Sequence, residues 1–101
     1  MAPLELLILK TLDAGPNHGF GITLHVQTVS GGLLGVEEGS LYPALHRLEK
    51  EGVLASEWST TAAGRKARLY RLTPPGRKRL AKAQEQWAET ARGVNRLMRF
   101  A

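Results

Sequence analysis

Gly39-Ser40-Leu41-Tyr42-Pro43-Ala44-Leu45-His46-Arg47-Leu48-Glu49-Lys50-Glu51-Gly52 is the stretch that decides the fold. Leu41, Leu45 and Leu48 stand four and three residues apart, which places them on one side of a helix. The opposite side offers Ser40, Tyr42, His46, Arg47 and Lys50. The helix is expected to begin within residues 37–41, where Glu37 and Glu38 suit the positive end of the helix dipole. Pro43 is tolerable because it lies in the first turns, where few backbone hydrogen bonds are lost. Gly52 suits the position after the C-cap.

Downstream, Leu54 to Thr60 reads as a strand, Thr61 to Lys66 as a turn and Ala67 to Leu72 as the returning strand. Leu69 and Tyr70 fall on opposite faces of that second strand. Small residues stand at the turn, with Gly64-Arg65-Lys66 at its tip. A helix with a polar, cationic face followed by a basic hairpin is the outline of a winged helix-turn-helix, which makes double-stranded DNA the expected partner.

Upstream, Leu4, Leu7, Ile8 and Leu12 recur at helical spacing, and Leu6 and Leu9 widen the apolar face, so this helix is expected to be largely buried. Gly15-Pro16-Asn17 ends it. A second helix is expected from about His18 to Ser30, although Phe20, Ile22, Leu24, Val26 and Val29 give a mixed pattern. Leu33 to Val36 fits either a short strand or an apolar linker.

Thr73-Pro74 is a helix start, with a capping hydroxyl followed by a proline. The helix it opens carries one seam: Leu80, Ala83, Trp87, Ala91, Val94 and Met98. At ~1.5 Å per residue this helix is roughly 40 Å long and overhangs the small core. The overhang would leave Trp87, Val94 and Met98 in water, and pairing with a second copy removes that exposure. Packing back on its own domain accounts for part of the seam.

The bulk properties narrow the function classes. The chain has 101 residues, 43% apolar, which is too many for a disordered tail and too few for a membrane protein. Its formal charge of +5 is uneven. Residues 1–50 hold three basic and five acidic residues; residues 51–101 hold eleven and four. A basic half attracts a polyanion, because each cation near a phosphate releases condensed counterions. There is no cysteine, hence no disulfide and no thiolate metal site. The run Leu6 to Leu9 is too short to span a bilayer and lacks the features of a signal peptide, so the cytoplasm is the expected compartment and no membrane association is expected. His18, His25 and His46 have no carboxylate or cysteine at a catalytic or zinc-like spacing, and the glycines match no phosphate-loop or dinucleotide signature. No enzyme activity, metal or cofactor is expected.

In the third helix, Ser40 and Tyr42 can donate to phosphate or base oxygens. Pro43 and the Tyr42 ring can touch a thymine methyl, and Arg47 can reach guanine or a phosphate unless it pairs with Glu51 at i,i+4. In the wing, Gly64 lets the backbone approach the duplex, and Arg65, Lys66 and Arg68 lie beside phosphates or enter the minor groove. Arg77, Lys78, Arg79 and Lys82 sit at the unfavourable end of their helix for cations, which phosphate proximity or a solvated face would explain. A winged helix can instead meet an acidic protein partner, a rival that salt-dependent binding to random duplex discriminates.

Three blocks, Leu4-Glu5-Leu6-Leu7-Ile8-Leu9, Asn17-His18-Gly19-Phe20-Gly21-Ile22 and Gly39 to Glu49, together with Tyr70-Arg71-Leu72-Thr73 and Gly76, resemble the PadR-family transcriptional regulators. The resemblance runs from about residue 4 to 99. It implies a dimeric winged-helix repressor of the short-tailed subgroup, with a DNA-binding domain over residues 1–72 and a dimerisation helix over 73–101. The fold class expected is α+β, mainly α. Carried over by position, the recognition residues are Ser40, Tyr42, Pro43, His46 and Arg47, and the wing tip is Gly64, Arg65 and Lys66. His18 and Gly19 match the start of the second helix, where backbone N–H groups can face a phosphate. Ala63 and Ala67 depart from the family's wing, which often carries paired glycines and a denser basic run. Some short-tailed members bind flat aromatic effectors between their dimerisation helices. Trp87 stands where an indole could stack on one, or fills the dimer seam as a large apolar residue.

Overall fold

The computed structural model describes residues 3–99. Helix α1 spans Leu4–Asp13, a two-residue strand β1 spans Asn17–His18, α2 spans Gly19–Val29 and α3 spans Glu38–Lys50. The hairpin strands are β2, Leu54–Thr60, and β3, Lys66–Leu72; α4 spans Pro74–Arg99. The result is α+β and mainly helical: α2 and α3 form the helix-turn-helix and β2–β3 the wing.

The leucines of α3 explain its seat. Leu41, Leu45 and Leu48 are fully buried against Ile8 and Leu9 of α1 and Ile22 of α2. Burying a leucine stabilises by about 1.5–3 kcal/mol, so this one stripe fixes which face of α3 looks outward. On α1, Ile8, Leu9, Thr11 and Leu12 are buried, whereas Leu4, Leu6 and Leu7 are only half-buried. The expectation of a largely buried helix holds for its C-terminal half.

The sheet order is β1-β3-β2, antiparallel throughout. In β2 and β3, Leu54 faces Leu72 and Ser56 faces Tyr70, and these pairs sit over the core. Farther out on the same face, Trp58 opposes Arg68 and Thr60 opposes Lys66, beyond the core's edge. The turn closes with the Thr61 amide donating to the Arg65 carbonyl at 2.8 Å, and Gly64 adopts φ +80°, a backbone region that favours glycine.

Two local readings sharpen. His18 does not open α2 but precedes it, paired with Leu69 across β1 and β3. A two-residue strand has no periodicity to read; only the tertiary pairing creates it. Residues 33–36 form no strand, and Val36 packs on the core from a loop.

Thr73 caps α4 as expected: its hydroxyl accepts from the Gly76 amide at 3.1 Å and donates to the Gly52 carbonyl at 2.7 Å. Gly76 is buried because α4 crosses the Val53 carbonyl there, and a Cβ would collide with that backbone oxygen. Past Leu80 the helix leaves the core. The radius of gyration, 15.0 Å, exceeds the ~13 Å of a compact chain of this length, and the long axis is 54 Å.

Candidate nucleic-acid interface

The outer face of α3 presents Ser40, Tyr42, Pro43, His46 and Arg47, all exposed. Alternation with buried Leu41, Ala44, Leu45 and Leu48 leaves these side chains no inward route. Tyr42 is 39% exposed because one edge of its ring lies on Gly19. A Cβ on Gly19 would stand 2.7 Å from Tyr42 Cε1 and 2.9 Å from its hydroxyl. Gly19 is itself buried beneath that ring. His18 stacks on Phe20 with centroids 5.3 Å apart, and its Nε2 is enclosed without a hydrogen-bond partner.

Arg47 is not a free cation. Its guanidinium lies 3.2 Å from Glu51 and 3.5 Å from Glu5, so the i,i+4 pairing operates and α1 contributes a second carboxylate. His46, Arg47, Glu49, Lys50 and Arg68 line a cleft between α3 and the hairpin. The hollow beside it is lined by Gly19, Phe20, Tyr42, His46, Trp58 and Arg68.

On the hairpin, Gly64, Arg65 and Lys66 are exposed at the tip. Arg68 sits farther back, tied down on three sides. It donates to Ser56 Oγ at 2.8 Å, lies 3.7 Å from Glu49 and stacks 5.0 Å above the Trp58 ring. Ser56 in turn donates to Glu49 at 2.7 Å, a link that holds the hairpin to α3.

Of the cations at the start of α4, Lys78 and Lys82 are exposed, as on a solvated face, whereas Arg77 and Arg79 meet carboxylates. Arg79 donates to both Glu5 oxygens, at 2.8 and 3.0 Å, and also lies 2.9 Å from Glu51; Arg77 lies 3.6 Å from Asp13. The Arg79 guanidinium holds the Glu5 carboxyl below the usual glutamate range, against the upward push of burial. For these two arginines the unfavourable dipole position is thereby offset by Glu5 and Asp13 of α1 and by Glu51, just past the end of α3. Sequence alone did not link Glu5 to Arg79, which are 74 residues apart.

The α4 seam divides in two. Leu80, expected on a dimer surface, is 5% exposed and belongs to the core of its own chain, because the helix still overlies α1 at that turn. Ala83 and Ala91 are half-buried, whereas Trp87, Val94 and Met98 are exposed, together with Leu97, which the seam had omitted. Leu97 stands three residues from Val94, within the same helical stripe.

Among the described residues no helix is long and apolar enough to cross a membrane, and no three His, Asp or Glu side chains converge to hold a metal ion.

This arrangement has relatives. Residues 8–82 match the sequence profile of the transcriptional regulator PadR-like family. A transcriptional regulator of Mycobacterium tuberculosis is 40% identical over 93 residues, which span 92% of this chain and 83% of that protein. A transcriptional regulator structure from Clostridium thermocellum superposes with a TM-score of 0.82 at 29% identity, covering 91% of this chain and 89% of the other. Bacillus subtilis PadR, solved in complex with operator DNA, superposes with a TM-score of 0.73 at 25% identity, over 83% of this chain and 48% of that one.

Proposed function

Because this chain belongs to the PadR-like family of transcriptional regulators, we propose that it is a homodimeric, cytoplasmic repressor that binds a pseudo-palindromic DNA operator. The observation that carries this reading is the outward face of α3, where Ser40, Tyr42, Pro43 and His46 stand clear of a leucine-packed base beside a basic hairpin. The operator complex of the Bacillus subtilis relative supports the choice of ligand.

Roles divide by position. Ser40, Tyr42, Pro43 and His46 approach base edges in the major groove, where contacts confer sequence choice. Gly64, Arg65 and Lys66 meet the backbone and add affinity on any sequence. Arg47, already neutralised by Glu5 and Glu51, orients the face more than it adds charge. Residues 1–72 form the DNA-binding domain and 73–101 the dimerisation element, with the first turns of α4 shared between them. Trp87, Val94, Leu97 and Met98 pair with a second copy, which takes exposed apolar surface out of water.

Selection from a random oligonucleotide pool, followed by footprinting, tests this. The expected result is two half-sites one helical turn, or a multiple of it, apart. A single asymmetric half-site protected by a monomer overturns it. A second reading rests on Trp87, whose neighbours one turn away on either side are Ala83 and Ala91. Those small residues leave room beside the indole for a planar aromatic effector. Quenching of Trp87 fluorescence and weaker operator binding would accompany such a ligand; neither response from a panel of planar compounds removes it.

A further inference from the structure

Trp58 has no evident duty in the fold. It is 67% exposed on the hairpin face that covers the core at Leu54, Leu72 and Tyr70 and then runs past its edge. A bare indole is unfavourable in water, yet this one is held in place, since its cross-strand partner Arg68 stacks on the ring and is itself fixed by Ser56 and Glu49. The ring lines the same hollow as Tyr42 and His46 of α3.

The charge around it selects the occupant. Lys66 and Arg68 flank the ring on β3, with His46 across the hollow. Glu57 falls on the opposite face by the strand's alternation, and Glu49 is engaged by Ser56 and Arg68. An apolar plane bordered by cations matches a strand of duplex, in which apolar deoxyriboses alternate with phosphates. A second copy of this chain, itself basic, matches it poorly.

We propose that Trp58 is a backbone-reading platform: its indole packs on a deoxyribose of the duplex seated on α3, while Arg68 and Lys66 meet the flanking phosphates. This rests on the DNA-binding reading above and adds to it an apolar side-chain contact on the wing, beside the Gly64 backbone and the cations expected there. An apolar contact releases no counterions, so it contributes affinity without contributing salt dependence.

The test is made on the full chain labelled with 5-fluorotryptophan, which gives two fluorine resonances for its two tryptophans. The Trp58 resonance is identified by its loss in Trp58→Phe. On saturation with the selected duplex that resonance is expected to shift and to lose its solvent isotope effect. Trp58→Ala is expected to weaken binding by about tenfold on selected and random duplex alike, the loss of roughly 50–60 Å² of apolar contact, with an unchanged salt slope. Trp58→Phe restores most of it. Arg68→Ala, by contrast, lowers the slope by about one. If the wild type binds duplex but the Trp58 resonance does not move and Trp58→Ala binds normally, this inference fails and the DNA-binding reading stands. If the wild type binds no duplex, both fail. A resonance shift on raising protein concentration without DNA assigns the face to a second copy and overturns the proposal. Should Trp58→Ala fold poorly, the resonance of the wild-type chain still decides.

Discussion

Gly19→Ala is a small change with unequal consequences. The new Cβ would lie 2.7 Å from Tyr42 Cε1, 2.9 Å from Oη and 3.0 Å from Cζ. Ordinary carbon contacts begin near ~3.5 Å, so the ring must retreat by about 0.8 Å. Tyrosine is long, and a swing of about 10° at χ1 achieves that; because a ~30° deviation costs only about 0.5–1.5 kcal/mol, this one costs a few tenths. Alanine also favours the helix by up to ~0.5–1 kcal/mol relative to glycine, so stability changes little. The hydroxyl, however, moves by about 1 Å, enough to break a hydrogen bond whose useful range is ~2.5–3.0 Å. Losing such a bond to the duplex costs about 0.5–1.5 kcal/mol, or roughly 2–12-fold in affinity. Anisotropy titration of a labelled operator duplex at fixed salt reads the affinity, and thermal melting reads the stability. Tyr42→Phe is expected to cause a similar loss, and adding Gly19→Ala to it is expected to cost little more, because the displaced hydroxyl is already gone. Full additivity of the two changes, or wild-type affinity in Gly19→Ala, would refute the claim that Gly19 seats a DNA-contacting tyrosine.

Arg79→Met removes the clamp on Glu5 and Glu51. The pair is partly solvated, with side chains 36% and 27% exposed, so the loss is expected to be about 1 kcal/mol, a fall of roughly 4–8 °C in Tm. Because the Glu5 pKa is lowered in the folded chain, its contribution is present above the ordinary glutamate value of ~4.3 and is lost as pH falls through the lowered folded value. Urea melts from pH 7 to 3 are therefore expected to show wild type and variant converging in acid; a gap independent of pH would exclude the carboxylate as the cause. Gly76→Ala places a methyl against the Val53 carbonyl, a backbone atom that also accepts from Thr73 and has little freedom to yield. Overpacking of about 1–3 kcal/mol outweighs the helix gain of up to ~1 kcal/mol, so Tm is expected to fall; a rise would show that α4 can lift at no cost.

Strong periodicity made the elements legible from sequence. The leucines of α3 recur at helical spacing, four and three residues apart, over a full core, so the buried and outward faces followed directly. Thr73 and the hairpin were readable because capping and turns depend on adjacent residues. What stayed hidden came from long-range pairing. β1 exists only because β3 lies beside it, and the Glu5–Arg79 clamp joins opposite ends of the chain. Leu80 shares its stripe with Trp87 and Val94, yet only the first part of that stripe overlies α1. Periodicity identifies an apolar side of a helix; it does not say which neighbour covers each turn.

The ion network bears on how the two ends of the molecule communicate. Arg79 of α4 joins Glu5 of α1 and Glu51 beyond the end of α3, and Arg47 of α3 closes the ring back to both carboxylates. Gly76 and Leu80 hold the same part of α4 against backbone and core. The base of α4 and the C-terminal end of α3 are therefore tied together, while the outer half of α4 extends beyond them. In the proposed dimer, a change of about 5° in how the two helices cross would displace a surface ~20 Å away by roughly 2 Å, comparable to the helix shifts that switch other assemblies. On that proposal, a substitution at the outer half of α4 would alter the spacing of the two reading faces without touching either of them.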